Sequence, residues 1–335
     1  MVIFMLMIYF TVFVTLAVAF VNGWTDAPNA IASCVSTGCL KLKHAVLVAA
    51  AADFTGAMVM GFLSSKVAET VMNIADFGTD RKTAVIALCA AMCSVVIWAV
   101  SAWKFGIPTS ESHALIAALT GAAVAVNGGF SGVDAGAWSK IIKGLFVSLA
   151  VGFLSGFSIS KLTEYAFGNA EKHKSEKIFR YSQIASGVLM AFMHGAQDSQ
   201  KFAGILGLIL SASGIGISEN KFVMLAVSSV AIAAGTATGG ERIIKKVGSD
   251  MVKLRIDQGF SADISGALCL FISTILGFPV STTHTKTSAV IGVGFADNIK
   301  SVNIRVVGEM IAAWLFTFPG CGVMGWAVTH LLIKV

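Results

Sequence analysis

The chain has little charge and very little proline. Charged residues make up 13% of its 335 residues, about half the share of roughly 25% found in ordinary soluble domains. Only 4 prolines interrupt a sequence that is 56% apolar. The 6 cysteines include no CxxC pair and have no histidine at zinc spacing, so neither a zinc site nor a thiol redox centre is indicated. This composition argues against a soluble enzyme and is typical of a membrane protein.

Long apolar runs account for much of the remaining sequence. They reach or approach the roughly 20 residues that an α-helix needs to cross a bilayer, and they cover 2–21, 44–65, 83–100, 138–160 and 304–318. Most of the net charge of +6 lies between these runs, which favours cytoplasmic loops over nucleic-acid binding. We therefore expect an all-α polytopic protein of the cell membrane.

Two different motifs each occur twice, in the same order. NGWTDAPNAIA at 22–32 is similar to HGAQDSQKFAG at 194–204, with an offset of 172 between Asp26 and Asp198. GIPTSESHALIAALTG at 106–121 is similar to GFPVSTTHTKTSAVIG at 277–292, with an offset of 171. Two motifs at nearly one offset indicate an internal duplication.

The basic segments predict how the duplicated halves are oriented. The linker 161–180 and the loop 241–258 each contain five Lys or Arg residues and are predicted to be cytoplasmic. We expect each Asp motif to lie in an interrupted span and each Pro-Ser motif at the tip of a helical hairpin. The first repeat, 1–160, and the second, 181–335, then have inverted topologies, as in many secondary transporters, and both termini are external. Whether the hairpins are re-entrant or fully spanning is left open.

Each half places one aspartate at the end of an apolar stretch. An ionised carboxylate is costly there unless it is paired or binds a cation. Unwound backbone frees carbonyls that, together with side-chain oxygens, suit a monovalent cation such as Na⁺ near each aspartate. The candidate cation ligands are Asp26, Asn29, Thr25, Asp198 and Gln197. A structural ion pair or a carboxylate at the membrane edge is the alternative. Lys201, equivalent to Asn29, can neutralise Asp198 or meet an anion.

The Pro-Ser motifs predict an anion site. Pro108 and Pro279 are expected at the first position of a helix, followed by hydroxyl groups. Free N–H groups and the positive end of the helix dipole bind phosphate or sulfate well. The candidate anion ligands are Thr109, Ser110, Ser112, Ser281, Thr282, Thr283 and Lys201. The alternative for each hydroxyl is an N-cap that serves its own helix.

Three further residues accompany the hairpin tips. His113 and His284 occupy equivalent places one turn into each helix, and we expect them to orient the tips rather than bind the solute. Glu111 aligns with Thr282, so the first motif has a carboxylate where the second has a hydroxyl. An anion beside its carboxylate needs a cation or a proton between them, so Glu111 is a candidate coupling site. Alternatively, Glu111 turns away to pair with Lys104 or another base.

These residues resemble the inorganic phosphate transporter (PiT) family. The family's signatures, roughly GxNDxxN and GxNDxxK, are similar to GWTDAPN and GAQDSQK, and its PVSTTH-type hairpins are similar to PTSESH and PVSTTH. Thr25 and Gln197 replace the two signature asparagines. The resemblance implies a short, bacterial-type permease that forms a homodimer and needs no cofactor. It also implies that the Asp motifs bind the coupling cation, Na⁺ or H⁺, and that the hairpin tips bind phosphate.

The predicted function is symport of inorganic phosphate with Na⁺ or H⁺ by alternating access. A sulfate permease of the same fold is an alternative, because sulfate would use the same donors. A membrane enzyme acting on a phosphorylated lipid is less well supported, since no GxSxG or HExxH arrangement is present. A channel would not combine carboxylates with anion-binding helix starts. We therefore expect a transporter and no nucleic-acid partner.

Overall fold

A computed structural model describes residues 2–105, 109–168, 172–239 and 244–334. Twelve α-helices lie within these ranges. They are α1 (Val2–Thr25), α2 (Pro28–Ser36), α3 (Leu42–Leu63), α4 (Lys66–Met72), α5 (Arg81–Lys104), α6 (Glu111–Asn127), α7 (Ala135–Phe167), α8 (Lys172–Ser213), α9 (Lys221–Thr238), α10 (Ile256–Leu276), α11 (Thr282–Asp297) and α12 (Ile304–Ile333). Short helical turns connect several of them.

Seven helical segments in the described part of the chain are long and apolar enough to cross a membrane. The first runs through α1 and α2, and the others are α3, α5, α7, α9, α10 and α12. Large apolar side chains remain exposed on these helices, for example Phe13 at 66% and Phe316 at 68%. Such surfaces fit contact with lipid, and a helix satisfies its own backbone hydrogen bonds there. The prediction of an all-α polytopic membrane protein is confirmed.

Two helical hairpins carry the Pro-Ser motifs. α5 and α6 form the first hairpin, and an antiparallel bridge between Ala75 and Val133 joins the chain before α5 to the chain after α6. α10 and α11 form the second hairpin, whose two ends are joined in the same way by Val252 and Val302. Each hairpin therefore returns to the side on which it began.

The second hairpin helix begins later than its proline predicts. α11 starts at Thr282 with Ser281 as N-cap, so Pro279 precedes the helix instead of occupying its first position. The N-cap serine has an extended backbone conformation (φ −82°, ψ 122°). Because an N-cap residue is not helical, the helix cannot include Pro279, two residues before it. Pro108 lies outside the described residues, and α6 begins at Glu111 after the N-cap Ser110.

The first Asp motif interrupts its helix, as predicted, and the second does not. α1 ends before Asp26 and α2 starts at Pro28, whose missing N–H cannot continue the helical ladder. The N–H of Asn29 instead bonds to the carbonyl of Asp26 at 2.9 Å, a tighter turn. α8 runs unbroken through Asp198. The expectation of a second interruption is wrong because Gln200, equivalent to Pro28, keeps its N–H.

Helices from the two predicted repeats are interleaved. α1 packs on α9, α3 on α8, α6 on α12, and α7 on α11. Where α1 crosses α9, a Cβ atom on Gly23 would lie 2.0 Å from the carbonyl oxygen of Ile232, and one on Gly235 would lie 2.0 Å from that of Phe20. The close approach of these backbones therefore requires the absence of both side chains.

The predicted linker is largely part of two helices. α7 extends to Phe167 and α8 begins at Lys172, so 161–167 and 172–180 are helical. Residues 169–171 lie outside the described ranges. The predicted boundary between the repeats therefore lies between the ends of two long helices, and the described residues of the predicted linker form no separate loop domain.

Candidate cation and anion site at the hairpin tips

Asp26 is held by the hairpin tip of the other half. Its carboxylate is 1% exposed and accepts a hydrogen bond from Asn29 Nδ2 at 2.7 Å. The Thr282 hydroxyl donates to Oδ2 at 2.9 Å, and the Thr283 hydroxyl donates to Oδ1. The break between α1 and α2 thus places the first aspartate directly against the start of α11.

Asp198 is neutralised by a lysine on its own helix. Lys201 Nζ lies 2.6 Å from Asp198 Oδ1, because residues three apart share a helical face. The same ammonium donates to Ser112 Oγ at 2.5 Å and to the Val280 carbonyl at 2.6 Å. Its three N–H donors are therefore directed to protein oxygens. Of the two roles predicted for Lys201, the structure shows the pairing with Asp198 and leaves no donor for an anion.

Two of the predicted anion ligands serve as N-caps. Ser110 Oγ accepts from the His113 N–H, and Ser281 Oγ accepts from the His284 N–H, both at 3.2 Å. This is the alternative role considered for these hydroxyls. Thr109 is buried immediately before the first cap. Each serine bonds to only one N–H of its helix. The other first-turn N–H groups of α6 and α11 form the positive ends of the helix dipoles, which are directed into the candidate site.

The two hairpin tips meet. The rings of His113 and His284 are in edge-to-face contact with centroids 4.3 Å apart. His113 also stacks on Phe318, and His284 lies 3.7 Å from the ring of Trp314. Both aromatic partners belong to α12. The equivalent histidines therefore pack the starts of α6 and α11 together, and their role in orienting the tips stays a prediction.

Glu111 faces the first Asp motif. Its Oε1 accepts from the Thr25 hydroxyl at 2.7 Å, and the residue is 4% exposed. Its Oε2 is buried and has no hydrogen-bond partner among the described residues. The carboxyl group of Glu111 is therefore directed inward, toward the residues of the candidate site.

The two Asp motifs converge on one centre. One ligand atom from each of Asp26, His194 and Asp198 lies within 4.8 Å of the others, and all three residues are buried. His194 Nδ1 is 3.0 Å from Asp53 Oδ1, and Asp53 Oδ2 accepts from Thr236 at 2.6 Å. Sequence reasoning missed Asp53 and Thr236. Asp53 was detectable as a lone carboxylate within the apolar run of α3.

Gln197 does not join this centre. Its Nε2 donates to the Phe278 carbonyl at 2.7 Å, and its Oε1 accepts from Thr274 at 2.7 Å. Successive residues of a continuous helix project about 100° apart, so the unbroken α8 directs Gln197 away from Asp198. The expectation that both residues bind one cation is corrected, and Gln197 instead ties α8 to the turn between α10 and α11.

A second buried ionic cluster was also missed. Lys286 Nζ forms an ion pair with Asp263, and both side chains are at most 1% exposed. Ser33 Oγ donates to Asp263 Oδ1 at 2.6 Å and lies 3.1 Å from Lys286 Nζ. The cluster joins α2, α10 and α11. Lys286 lies within the second Pro-Ser motif, one helical turn after Thr282, and this position was its only signal in the sequence.

Membrane-crossing helices around a buried, ionisable centre define a polytopic membrane protein with a candidate internal solute site. Residues 22–325 match the model of the phosphate transporter family. The "Probable low-affinity inorganic phosphate transporter" of Bacillus subtilis (strain 168) is 36% identical over 324 residues, covering 96% of this chain and 95% of that protein. A protein of the same description from Rhizobium meliloti (strain 1021) is 36% identical over 311 residues, covering 91% and 90%. The chain belongs to the phosphate transporter family and is a transporter, not an enzyme.

A solved structure has the same fold. It is described as "The sodium-dependent phosphate transporter" and superposes with a TM-score of 0.86 at 22% identity, covering 98% of this chain and 99% of that chain. The resemblance inferred from the paired motifs is therefore confirmed at the level of family and fold.

Proposed function

We propose that this protein moves inorganic phosphate across the cell membrane together with Na⁺ or H⁺, by alternating access to the site at the hairpin tips. Family membership supports phosphate as the solute. Coupling of phosphate to a cation is supported by one observation, the convergence of Asp26, Asp198 and Glu111 on the starts of α6 and α11. These three buried carboxyl groups outnumber the ammonium of Lys201, while His194 lies between Asp53 and Asp198, 3.0 Å from Asp53 Oδ1 and 3.5 Å from Asp198 Oδ2.

The anion is bound by the first turns of α6 and α11. Free N–H groups at a helix start bind phosphate without a dedicated cationic side chain. Thr109 and Ser112 border the first turn and add hydroxyl donors there. The hydroxyls of Thr282 and Thr283 border the second turn and donate to Asp26, so the second turn offers the anion its N–H groups. A sulfate dianion has the same geometry, and the transport experiment therefore includes it as a competing solute.

The coupling cation binds at Asp26. Its carboxylate is buried, the ammonium of Lys201 is paired with Asp198, and His194 places a ring nitrogen within 4.8 Å of it. A bound Na⁺, or a proton, offsets the cost of burying that charge. The cation also reduces repulsion between the carboxylates and the arriving phosphate, so the two solutes bind better together than separately. This mutual dependence is the thermodynamic basis of symport.

Uptake into proteoliposomes tests the proposal. Radiolabelled phosphate and sulfate are supplied under a Na⁺ gradient and a pH gradient imposed separately. We expect phosphate to accumulate under one gradient, and Asp26→Asn to abolish accumulation. Glu219→Gln, which removes an exposed carboxylate, should have no effect. Absence of phosphate accumulation under both gradients would refute the proposal, and accumulation of sulfate alone would change the solute.

We also propose the orientation that the basic segments predict. The segments 161–180 and 241–258 face the cytoplasm and both termini are external. Alkaline phosphatase fused to the C-terminus should be active in intact cells, whereas the same enzyme inserted after Gly168 should be inactive; the reverse pattern would invert the topology. The homodimer implied by the resemblance stays a prediction, which mass measurement of the purified protein in nanodiscs tests.

A further inference from the structure

We propose that the ammonium group of Lys201 occupies the place of a coupling cation in the second half of the protein. The second half therefore has its cation covalently attached to the chain, where the first half takes one from solution. This inference rests on the proposed cation-coupled function and specifies its stoichiometry. Transport through this chain uses one inorganic cation fewer than it would with asparagine at position 201.

The surroundings of Lys201 Nζ are those of a bound metal cation. The three partners are a carboxylate oxygen of Asp198, a hydroxyl oxygen of Ser112 and the main-chain carbonyl of Val280, at 2.5 to 2.6 Å. Val280 belongs to the non-helical turn that precedes α11. Carboxylates and carbonyls of unwound backbone are the oxygens that coordinate Na⁺ in transporters with interrupted helices.

The same set of groups exists in the first half. The offsets of 172 and 171 relate Asp198 to Asp26, Ser112 to Thr283, and the Val280 carbonyl to that of Thr109; Lys201 is related to Asn29. The structure reproduces the side-chain part of this relationship, because Asn29 Nδ2 contacts Asp26 Oδ1 at 2.7 Å and Thr283 Oγ1 at 3.2 Å. Asn29 and Lys201 thus contact equivalent groups, each reaching the hairpin tip of the opposite half.

The two positions differ in charge. Lys201 supplies an ammonium to Asp198, whereas the amide of Asn29 leaves the charge of Asp26 uncompensated. Asn29 Oδ1 is buried and has no hydrogen-bond partner among the residues described. A carboxylate and an unused amide oxygen are suitable ligands for a hard monovalent cation. The first half therefore takes its cation from solution, and in the second half the protein itself supplies the cation.

The filled site has a fixed occupant. Lys201 is 2% exposed and lies on the continuous helix α8, so its charge cannot leave with the solute. Asp198 consequently contributes no coupling of its own, although it is equivalent to Asp26. Asp198→Asn alone would leave a buried ammonium without its carboxylate, and its effect on uptake would not reveal whether a solute cation binds there.

Measurement of the coupling ratio tests the inference. In proteoliposomes with the membrane potential clamped at zero, the phosphate gradient that just balances a fixed gradient of the driving cation gives the number of cations per phosphate. We expect Lys201→Asn to raise this number by one. Under a tenfold cation gradient, the limiting accumulation of phosphate then rises about tenfold, corresponding to about 1.4 kcal/mol. An unchanged ratio in an active Lys201→Asn variant would overturn the inference.

Two matched variants separate this effect from general damage. The double variant Asp198→Asn with Lys201→Asn removes both charges, and we expect the wild-type ratio to return. Asn29→Lys places an ammonium in the first half, and we expect phosphate exchange to persist while gradient-driven accumulation disappears. Retained accumulation in Asn29→Lys would contradict the equivalence of the two positions.

A measurement of cation binding tests the inference even if the Lys201→Asn variant does not transport. Where the Na⁺ gradient drives uptake, purified Lys201→Asn protein should bind one more radioactive Na⁺ ion per chain than the wild type at equilibrium, and the double variant should bind the wild-type number. Where the pH gradient drives it, Lys201→Asn should take up one more proton per phosphate bound. Equal binding of the driving cation by wild type and Lys201→Asn would overturn the inference even without transport. Failure of the wild type to accumulate phosphate under either gradient would instead refute the proposed function, so the two failures are distinguishable.

Discussion

The imidazole rings of His113 and His284 contact each other edge to face, with centroids 4.3 Å apart. The two residues lie 171 positions apart in the sequence and at equivalent places in the two hairpins. Their contact joins the helix starts that are proposed to bind phosphate. The distance between those helix starts, and hence the geometry of the anion site, therefore depends on the packing of these rings between Phe318 and Trp314.

We expect His284→Ala to weaken phosphate binding by about tenfold or more, because the lost ring leaves a gap between the hairpin tips and Trp314. His284→Phe keeps a ring of similar size and should retain most of the affinity. Concentration dependence of exchange, which needs no gradient, measures the effect. If the phenylalanine variant is as defective as the alanine variant, the imidazole nitrogens are required and the packing role is wrong.

Glu111→Gln should weaken the dependence of phosphate uptake on the driving cation. The Glu111 Oε2 atom is buried without a partner in the described structure, so a proton or cation is expected to accompany it when the anion binds. Glu111→Thr is the matched variant, because Thr282 occupies the equivalent position. Both substitutions should preserve phosphate exchange and lower gradient-driven accumulation by about tenfold or more. An unchanged cation and pH dependence would remove Glu111 from the coupling mechanism.

The buried pair Lys286–Asp263 yields a prediction about stability. Loss of one partner leaves an uncompensated buried charge, which costs about 3–5 kcal/mol. The equivalent residues in the first half are Leu115 and Met92, both buried and apolar. We therefore expect Lys286→Leu and Asp263→Met to be destabilising singly and much less so together. Thermal unfolding of the purified variants measures this, and a double variant no more stable than either single one would contradict it.

Gly195→Ala should be strongly destabilising. A Cβ atom at Gly195 would lie 2.0 Å from the carbonyl oxygen of Asp53, so α8 and α3 would have to separate and His194 would move away from Asp53. Overpacking of this kind costs about 1–3 kcal/mol or more. A Cβ atom added to Gly308 in α12 would meet no described heavy atom within 4 Å, and Gly308→Ala should be neutral or slightly stabilising. Similar unfolding temperatures for both variants would rule out the close crossing.

Asp80, at the start of α5, is expected to make a pH-dependent contribution to the stability of the folded protein. Hydrogen bonds from the Thr83 hydroxyl and N–H lower the pKa of this exposed carboxyl below its usual value. A lowered folded-state pKa gives stability that is present above the unfolded value of about 3.9 and is lost as pH falls through the folded value. Asp80→Ala should therefore lower the unfolding temperature at neutral pH and have less effect near pH ~3. Asp80→Asn keeps a capping oxygen, so its unfolding temperature at neutral pH should fall less than that of Asp80→Ala. If Asp80→Ala lowers the unfolding temperature equally at both pH values, the charge of Asp80 makes no contribution.

The main features of this fold are readable from sequence because they depend on local composition. Apolar runs predict the crossing helices, and the repeated Pro-Ser motifs predict hairpins whose ends meet. The break at Asp26 follows from Pro28, whereas the repeat alone predicts the same break at Asp198, where α8 is continuous. Sequence similarity between halves does not transfer a backbone conformation when the proline that causes it is absent.

The candidate site was only partly predictable. Asp26, Asp198 and the hydroxyl groups of the hairpin tips could be found because they recur at a fixed offset. The contact of His194 with Asp53 joins residues 141 positions apart and depends on the close crossing of α3 and α8. The cluster of Lys286 with Asp263 has no counterpart in the first half, so the repeat gave no signal for it.

The broken α1–α2 segment and the unbroken α8 give the two halves different mechanical properties. The backbone at Asp26 lacks a regular helical hydrogen bond at Pro28 and bends more easily there, whereas Asp198 lies within the continuous helix α8. Under the proposed alternating access, bending at Asp26 would have no equivalent at Asp198. We therefore expect the two opening steps to have different barriers, even though the two halves are built from duplicated sequence.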